Sequence, residues 1–194
     1  PDKLIVDVFR MKYDYHNAKT IIKAEAMGHD AMRLMSGCGC ISPKAMLELY
    51  NEEKYSQLPK ILGEALEEAK TTLARTANPQ LADFILDKAY FAEIKEAARA
   101  IDCPYLDGYA AILTDSTNLK SAVRTLRMGK DMDFMDFALI PGGSVDTDRI
   151  VNAGDKEGIS ALYAHGLLEK AAALGAEAVE GGSMTAFELA CDNA

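Results

Sequence analysis

Two short runs carry the polar side chains best placed to act together: Asp14, Asn17, Lys19 and Lys23 in the first half of the chain, and Asp115, Asn118, Lys120 and Arg124 in the second. Spacings of three, four and five put several of them on neighbouring faces of a helix, where Asp can pair with Lys or Arg. Such a set has two possible uses. It can contact a partner, or it can form a polar network that locks a helical module together. A buried network of this kind is costly to break on one side only.

Other reactive residues point to no reaction. Cys38-Gly-Cys40, with His29 nearby, invites a metal reading, but C-x-C is tighter than the usual zinc spacing and no second pair follows. No metal is expected. His16, His29 and His165 are scattered, with no carboxylate partner at helical spacing. Nucleophilic catalysis needs a base within reach of Ser or Cys, so no catalytic residue is assigned. Ile140-Pro-Gly-Gly143 is a glycine turn without the Lys-Ser/Thr of a nucleotide loop. No cofactor and no small-molecule substrate are expected. The nine methionines, Met32 and Met35 among them, suit either core filling or an adaptable surface.

The chain has 194 residues, 49% hydrophobic and 26% charged, so it can bury a core and is not a disordered segment. Ala, Leu, Met, Lys and Glu recur, Pro is scarce and Trp absent, a composition that favours helix. A formal net charge of −9 without a clustered basic face argues against nucleic acid as a partner. Cys38, Cys40, Cys103 and Cys191 show no regular framework and are read as reduced thiols, which places the chain in the cytoplasm. No apolar run approaches the roughly 20 residues of a membrane span, so any membrane association goes through partners.

The elements that must position the polar runs are helices. Leu4, Val8, Met11, Tyr15, Ala18 and Ile22 recur at steps of four and three, which predicts one long helix from Leu4 to Met27 with a single apolar stripe, Asp2 as its cap and Gly28 as its stop. Ser42-Pro43 opens a short helix, Lys60 to Arg75 forms another, and Leu81 to Ile101 a third after Asn78-Pro79. Pro104 opens a second long rod to Met128, striped by Tyr105, Tyr109, Ile112, Ser116, Leu119 and Val123. A short helix from Asp146 to Ala153, a helix from Lys156 to Leu174 and one from Met184 to the end complete the set. No segment alternates with period two, and the fold class is all-α.

A shift of 101 positions superimposes the two rods. Asp14 meets Asp115, Asn17 meets Asn118, Lys19 meets Lys120, Lys23 meets Arg124, and Met27-Gly28 meets Met128-Gly129. The agreement continues with a small drift: Gly39-x-Ile41 and Met46 match Gly143-x-Val145 and Ile150, and Phe84-x-Leu86 is matched to Phe187-x-Leu189. Two related modules of long amphipathic helices plus short ones are expected, residues 1–101 and residues 102–194, the second incomplete. A period near 100 is too long for a short-repeat solenoid.

Lys12-Tyr-Asp-Tyr-His-Asn17-Ala-Lys19 with its D-x-x-N, its second copy in Asp115-Ser-Thr-Asn118-Leu-Lys120, and Phe84-Ile-Leu-Asp87-Lys-Ala-Tyr90-Phe91 resemble motifs of the C-type (or d-type) subunit family of V/A-type rotary ATPases. The resemblance spans nearly the whole chain. Where the first module has Asp87 and Tyr90, this register gives the second Ala190 and Asn193, so that motif is only partly repeated.

The resemblance implies a pseudo-symmetric, funnel-shaped subunit of several modules with no active site, peripheral to the membrane. Its partners would be the membrane rotor ring and the central stalk. It would transmit torque between ATP hydrolysis or synthesis and ion transport. Pro1 in place of Met, and a final amphipathic run that stops without an exit signal, suggest a piece of a longer chain. A general helical scaffold is the alternative, and a helical enzyme with an unrecognised carboxylate or histidine site a third reading.

Overall fold

The computed structural model describes residues 3–194, and among them there are ten α-helices and no strand. The expected cap Asp2 lies outside the described residues. The chain divides into two compact units, Pro1–Pro104 and Tyr105–Ala194.

The first unit is built from α1 (Lys3–Met27), α2 (Pro43–Asn51), α3 (Lys60–Thr76) and α4 (Pro79–Ile101). Ser42 caps α2 by accepting from the Ala45 amide, and Asn78 caps α4 by accepting from the Gln80 amide. Each is followed by a proline whose missing N–H costs nothing in the first turn. Helix α4 therefore begins at Pro79, two residues before the expected Leu81. The core of the unit gathers Tyr15, Ile22, Met46, Leu62, Leu66 and Leu86.

The second unit contains α5 (Pro104–Arg127), whose first residue belongs to the unit before, then α6 (Met132–Ala138), α7 (Thr147–Ala153), α8 (Lys156–Leu162), α9 (Glu169–Val179) and α10 (Met184–Asp192). Helix α6, capped by Asp131 accepting from the Phe134 amide, is not apparent in the hydrophobic pattern. The single helix expected over Lys156–Leu174 is interrupted. Turns and bends fill residues 163–168, and Gly166 has φ +155°, outside the helical region. Leu119, Val123, Met135, Ile150, Ile159 and Phe187 form the core.

Both long rods end alike. His29 N–H donates to Ala24 O and Lys130 N–H to Thr125 O, while Gly28 and Gly129 take φ of +67° and +64°. This is the Schellman closure, which glycine enters without steric cost.

The expected single stripe is too simple. Its first positions, Leu4 and Tyr105, are 58% and 75% exposed, whereas further along α1 buries Asp14, Asn17 and Thr20 as well as Tyr15, Ala18 and Ile22. Helix α5 does the same with Asp115, Ser116 and Asn118. The middle of each rod is thus enclosed on two faces, one apolar and one polar. A hydrophobic pattern can register only the first.

Candidate functional site

The buried polar face of each rod grips the loop that follows. In the first unit the Asp14 carboxylate accepts from the backbone N–H groups of Cys40 and Ile41, both at 2.9 Å. One turn on, Asn17 makes a closed pair with Ser36, accepting from its N–H at 2.7 Å and donating to its carbonyl at 2.9 Å. In the second unit Asp115 accepts from Ser144 N–H at 3.1 Å and Val145 N–H at 3.3 Å, and also from the Ser144 hydroxyl. Asn118 pairs with Ile140 in both directions at 2.8 Å.

Glycine completes the grip. A Cβ placed on Gly39 would sit well inside van der Waals contact with Asp14 Oδ1, and one on Gly143 would meet Asp115 Oδ1 in the same way. The loops can press onto the carboxylates only because these two residues have no side chain.

The basic members reach the other way, to the last helix of their own unit. Lys19 pairs with Asp87 and Lys23 with Asp83 at 2.7 Å. Lys120 pairs with Asp192, and Arg124 with Glu188 at 2.6 Å. All eight residues singled out from the sequence therefore contact groups within their own unit, four of them buried.

These pairs fix the true register of the repeat. Asp87 corresponds to Asp192 and Asp83 to Glu188, a shift of 105, so matching Phe84 with Phe187 is off by two residues. Burial agrees: Phe187 and Ala82 are both fully buried, and Leu86 and Cys191 are both buried. The acidic position of the aromatic–acidic motif is thus repeated, as Asp192 rather than Ala190. Matching by residue type failed because the two equivalent core positions hold side chains as different as Ala and Phe.

Several contacts belong to one unit alone, and sequence reasoning missed them. Arg10 donates to Cys38 O at 3.2 Å and to Gly39 O, tying the loop down by its carbonyls. Tyr15 donates to Glu93 at 2.5 Å, and its ring lies against Tyr90. Tyr50 donates to Glu25. Burial holds Asp14 above the ordinary aspartate value, with the Ile41 and Cys40 amides opposing it. Burial likewise raises Glu93, opposed by Tyr15. Nothing in residue spacing joins Tyr15 to a glutamate 78 positions away.

The first unit also has two recesses. One, of about 440 Å³, is walled by Lys60, Glu64, Glu93 and Glu96 over Met11 and Ile61. Another, of about 400 Å³, has Glu25, His29, Asp30, Tyr50 and Lys70 in its wall. Neither wall contains a serine, threonine or cysteine that a base could activate. Among the described residues no group of three or more His, Cys, Asp or Glu is arranged to hold a metal ion. None of the helices among them is long and apolar enough to cross a membrane.

The family model described as ATP synthase (C/AC39) subunit matches residues 1–194. The C subunit of the V-type sodium ATPase of Enterococcus hirae is 23% identical over 152 residues, which cover 78% of this chain and 46% of that protein. The C subunit of the V-type ATP synthase of Thermus thermophilus is 25% identical over 148 residues, 74% of this chain and 45% of that protein. The chain spans about half the length of these relatives. No solved structure matches it.

Proposed function

Because the chain belongs to the ATP synthase (C/AC39) subunit family, we propose that it acts as a non-catalytic adaptor in the rotor of a V/A-type rotary ATPase, joining the central stalk to the membrane rotor ring. Torque would pass through it between ATP chemistry and ion movement.

The observation that carries this reading is the clamp built twice. The most distinctive polar residues of each unit are committed to fixing a loop and a final helix onto a long rod. A body that transmits load benefits from such stiffness, because twist within it would dissipate work. A catalytic site would instead leave its polar groups facing a substrate. We assign the eight residues to locking the modules, which are residues 1–101 and 102–194 in the repeat, and not to partner contact. Docking then falls to exposed acidic side chains meeting basic residues on ring or stalk, consistent with the net charge of −9.

The test is a pull-down of the full-length protein with a detergent-solubilised rotor ring and purified central-stalk subunits. Co-elution with both is expected. Charge reversal at exposed acidic residues such as Glu64 or Glu177 should weaken capture while circular dichroism stays unchanged. A folded protein that captures neither partner would return the chain to the general helical scaffold.

A further inference from the structure

The loop held by Asp14 contains the one C-x-C sequence of the chain. Cys38 and Cys40 are both free and exposed, while Cys103 is half-buried and Cys191 buried. Between them stands Gly39, pressed onto Asp14, in a stretch of turn and bend over residues 37–41. Two Cα atoms separated by one residue on a bent chain fall inside the separation that a disulfide spans.

The backbone of this short ring is held from several sides. Cys38 N–H donates to Ser36 Oγ at 3.2 Å, Arg10 binds the carbonyls of Cys38 and Gly39, and Cys40 N–H binds Asp14. The Cys40 thiol is directed at the Asp7 carbonyl oxygen, 3.8 Å away. Bringing the two sulfurs together takes the Cys40 thiol off the Asp7 carbonyl, and the ring so closed contains the peptide groups on either side of Gly39. Those are the peptide groups that Arg10 and Asp14 hold. Sulfur–sulfur bonding and the clamp therefore compete for one stretch of backbone.

We propose that Cys38 and Cys40 form a modification site for a small disulfide such as glutathione disulfide, and that closure of the Cys38–Cys40 bond releases the loop from Asp14. In the first step the Cys38 thiolate attacks one sulfur of glutathione disulfide. The S–S bond breaks, one glutathione leaves as its thiolate and takes a proton from water, and a Cys38–glutathione mixed disulfide remains. Cys40 then gives its proton to solvent and attacks the Cys38 sulfur, expelling the second glutathione. Two cysteine thiols are oxidised and one glutathione disulfide is reduced to two glutathiones.

The order of attack follows from surroundings. Loss of solvent and the charges of Asp14 and Asp7 push the Cys40 thiol up to about 11, which leaves Cys38 as the sulfur that starts the exchange. The second unit supplies an internal reference. Gly142 and Ser144 occupy the positions of Cys38 and Cys40, so its clamp has the same grip and no thiol.

The experiment incubates the chain with glutathione disulfide, alkylates the remaining thiols, and maps the products by mass spectrometry alongside amide hydrogen exchange. In the wild-type chain the peptide bearing both cysteines should lose two hydrogens and escape alkylation. Exchange at residues 40 and 41 should rise about tenfold, as for loss of a hydrogen bond to a charged acceptor, while residues 144 and 145 stay unchanged. Cys40→Ser places in the first loop the residue that the second already has, so it should fold as the parent does and stop at the glutathione adduct on Cys38. An adduct that persists in the wild-type chain overturns the proposal. So does a closed disulfide that leaves exchange at 40 and 41 as it was.

Discussion

The two units hold their loops by the same grips and back them with different packing. In the first unit, Arg10 adds a hold on the loop carbonyls; its counterpart in the second is Ala111. In the second, the Ser144 hydroxyl adds a donor to Asp115 where the first has the weaker thiol of Cys40. Tyr15 reaches Glu93 on α4, whereas its counterpart Ser116 donates to the backbone carbonyl of Cys191. Small Ala82 is replaced by Phe187, and room for that ring exists because a Cβ on Gly175 would press against it. The difference separates two kinds of constraint. The grips of the buried Asp and Asn on the loop backbone and the ion pairs to the last helix persist across the repeat, while the contacts around them have been rebuilt.

The sharpest way to break this comparison is to remove the carboxylates. Asp115→Ala strands two loop amides and a hydroxyl, and should cost about 3 kcal/mol in urea unfolding; Asp14→Ala strands the two amides and should cost about 2 kcal/mol. Hydrogen exchange should place each loss in its own unit. Equal loss of protection in both units would show that the clamps do not act separately.

Next in size are the glycines. Gly39→Ala and Gly143→Ala each drive a methyl group into a carboxylate that is already held, so each should cost about 2 kcal/mol. A neutral result in one unit alone would mean that its loop can lift off, and would end the claim of equivalent grips.

A smaller effect depends on pH and belongs to the first unit. Glu93 is buried beside Tyr15, so its folded pKa lies above the usual 4.5. Between the unfolded and folded values the native state holds more protons than the unfolded state, and this group's contribution to stability falls as pH rises. Glu93→Gln keeps an acceptor for the Tyr15 hydroxyl but cannot charge. Its stability relative to the parent should therefore grow as pH climbs from 4.5 through the raised value, read by urea unfolding across that range. A difference constant with pH would count against a desolvated carboxylate there.

The ion pairs should matter least. Lys19→Met and Lys120→Met break pairs whose acidic partners are 33% and 64% exposed, and each should cost below about 1 kcal/mol by thermal melting. The Lys120 change should be the milder.

Much of this could be read from the residues. Helices were legible where caps and periodicity agreed, as at Ser42-Pro43 and Asn78-Pro79, and the rods ended at Gly28 and Gly129 as expected. The eight polar residues stood out because they recur in phase at a fixed shift. Their partners did not, since a loop amide leaves no mark in residue type, and Ser36 and Ile140 share nothing but a peptide group. The break after Leu162 was missed because apolar spacing runs on through residues that fold as turns. The register of the last helices was lost where Ala82 corresponds to Phe187 of the second copy.

The reliance of Asp14, Asn17, Asp115 and Asn118 on backbone partners sets the rules for how these loops can evolve. A peptide N–H is offered by every amino acid except proline, so the backbone grips themselves dictate no side chain at residues 36, 40, 41, 140, 144 and 145. Proline is the one letter this grammar forbids at those places. It is tolerated one step away, as Pro141 beside the gripped Ile140 already demonstrates. Inheritance of form in these grips rests on four anchoring side chains and two glycines, whatever residues the loops carry for other work.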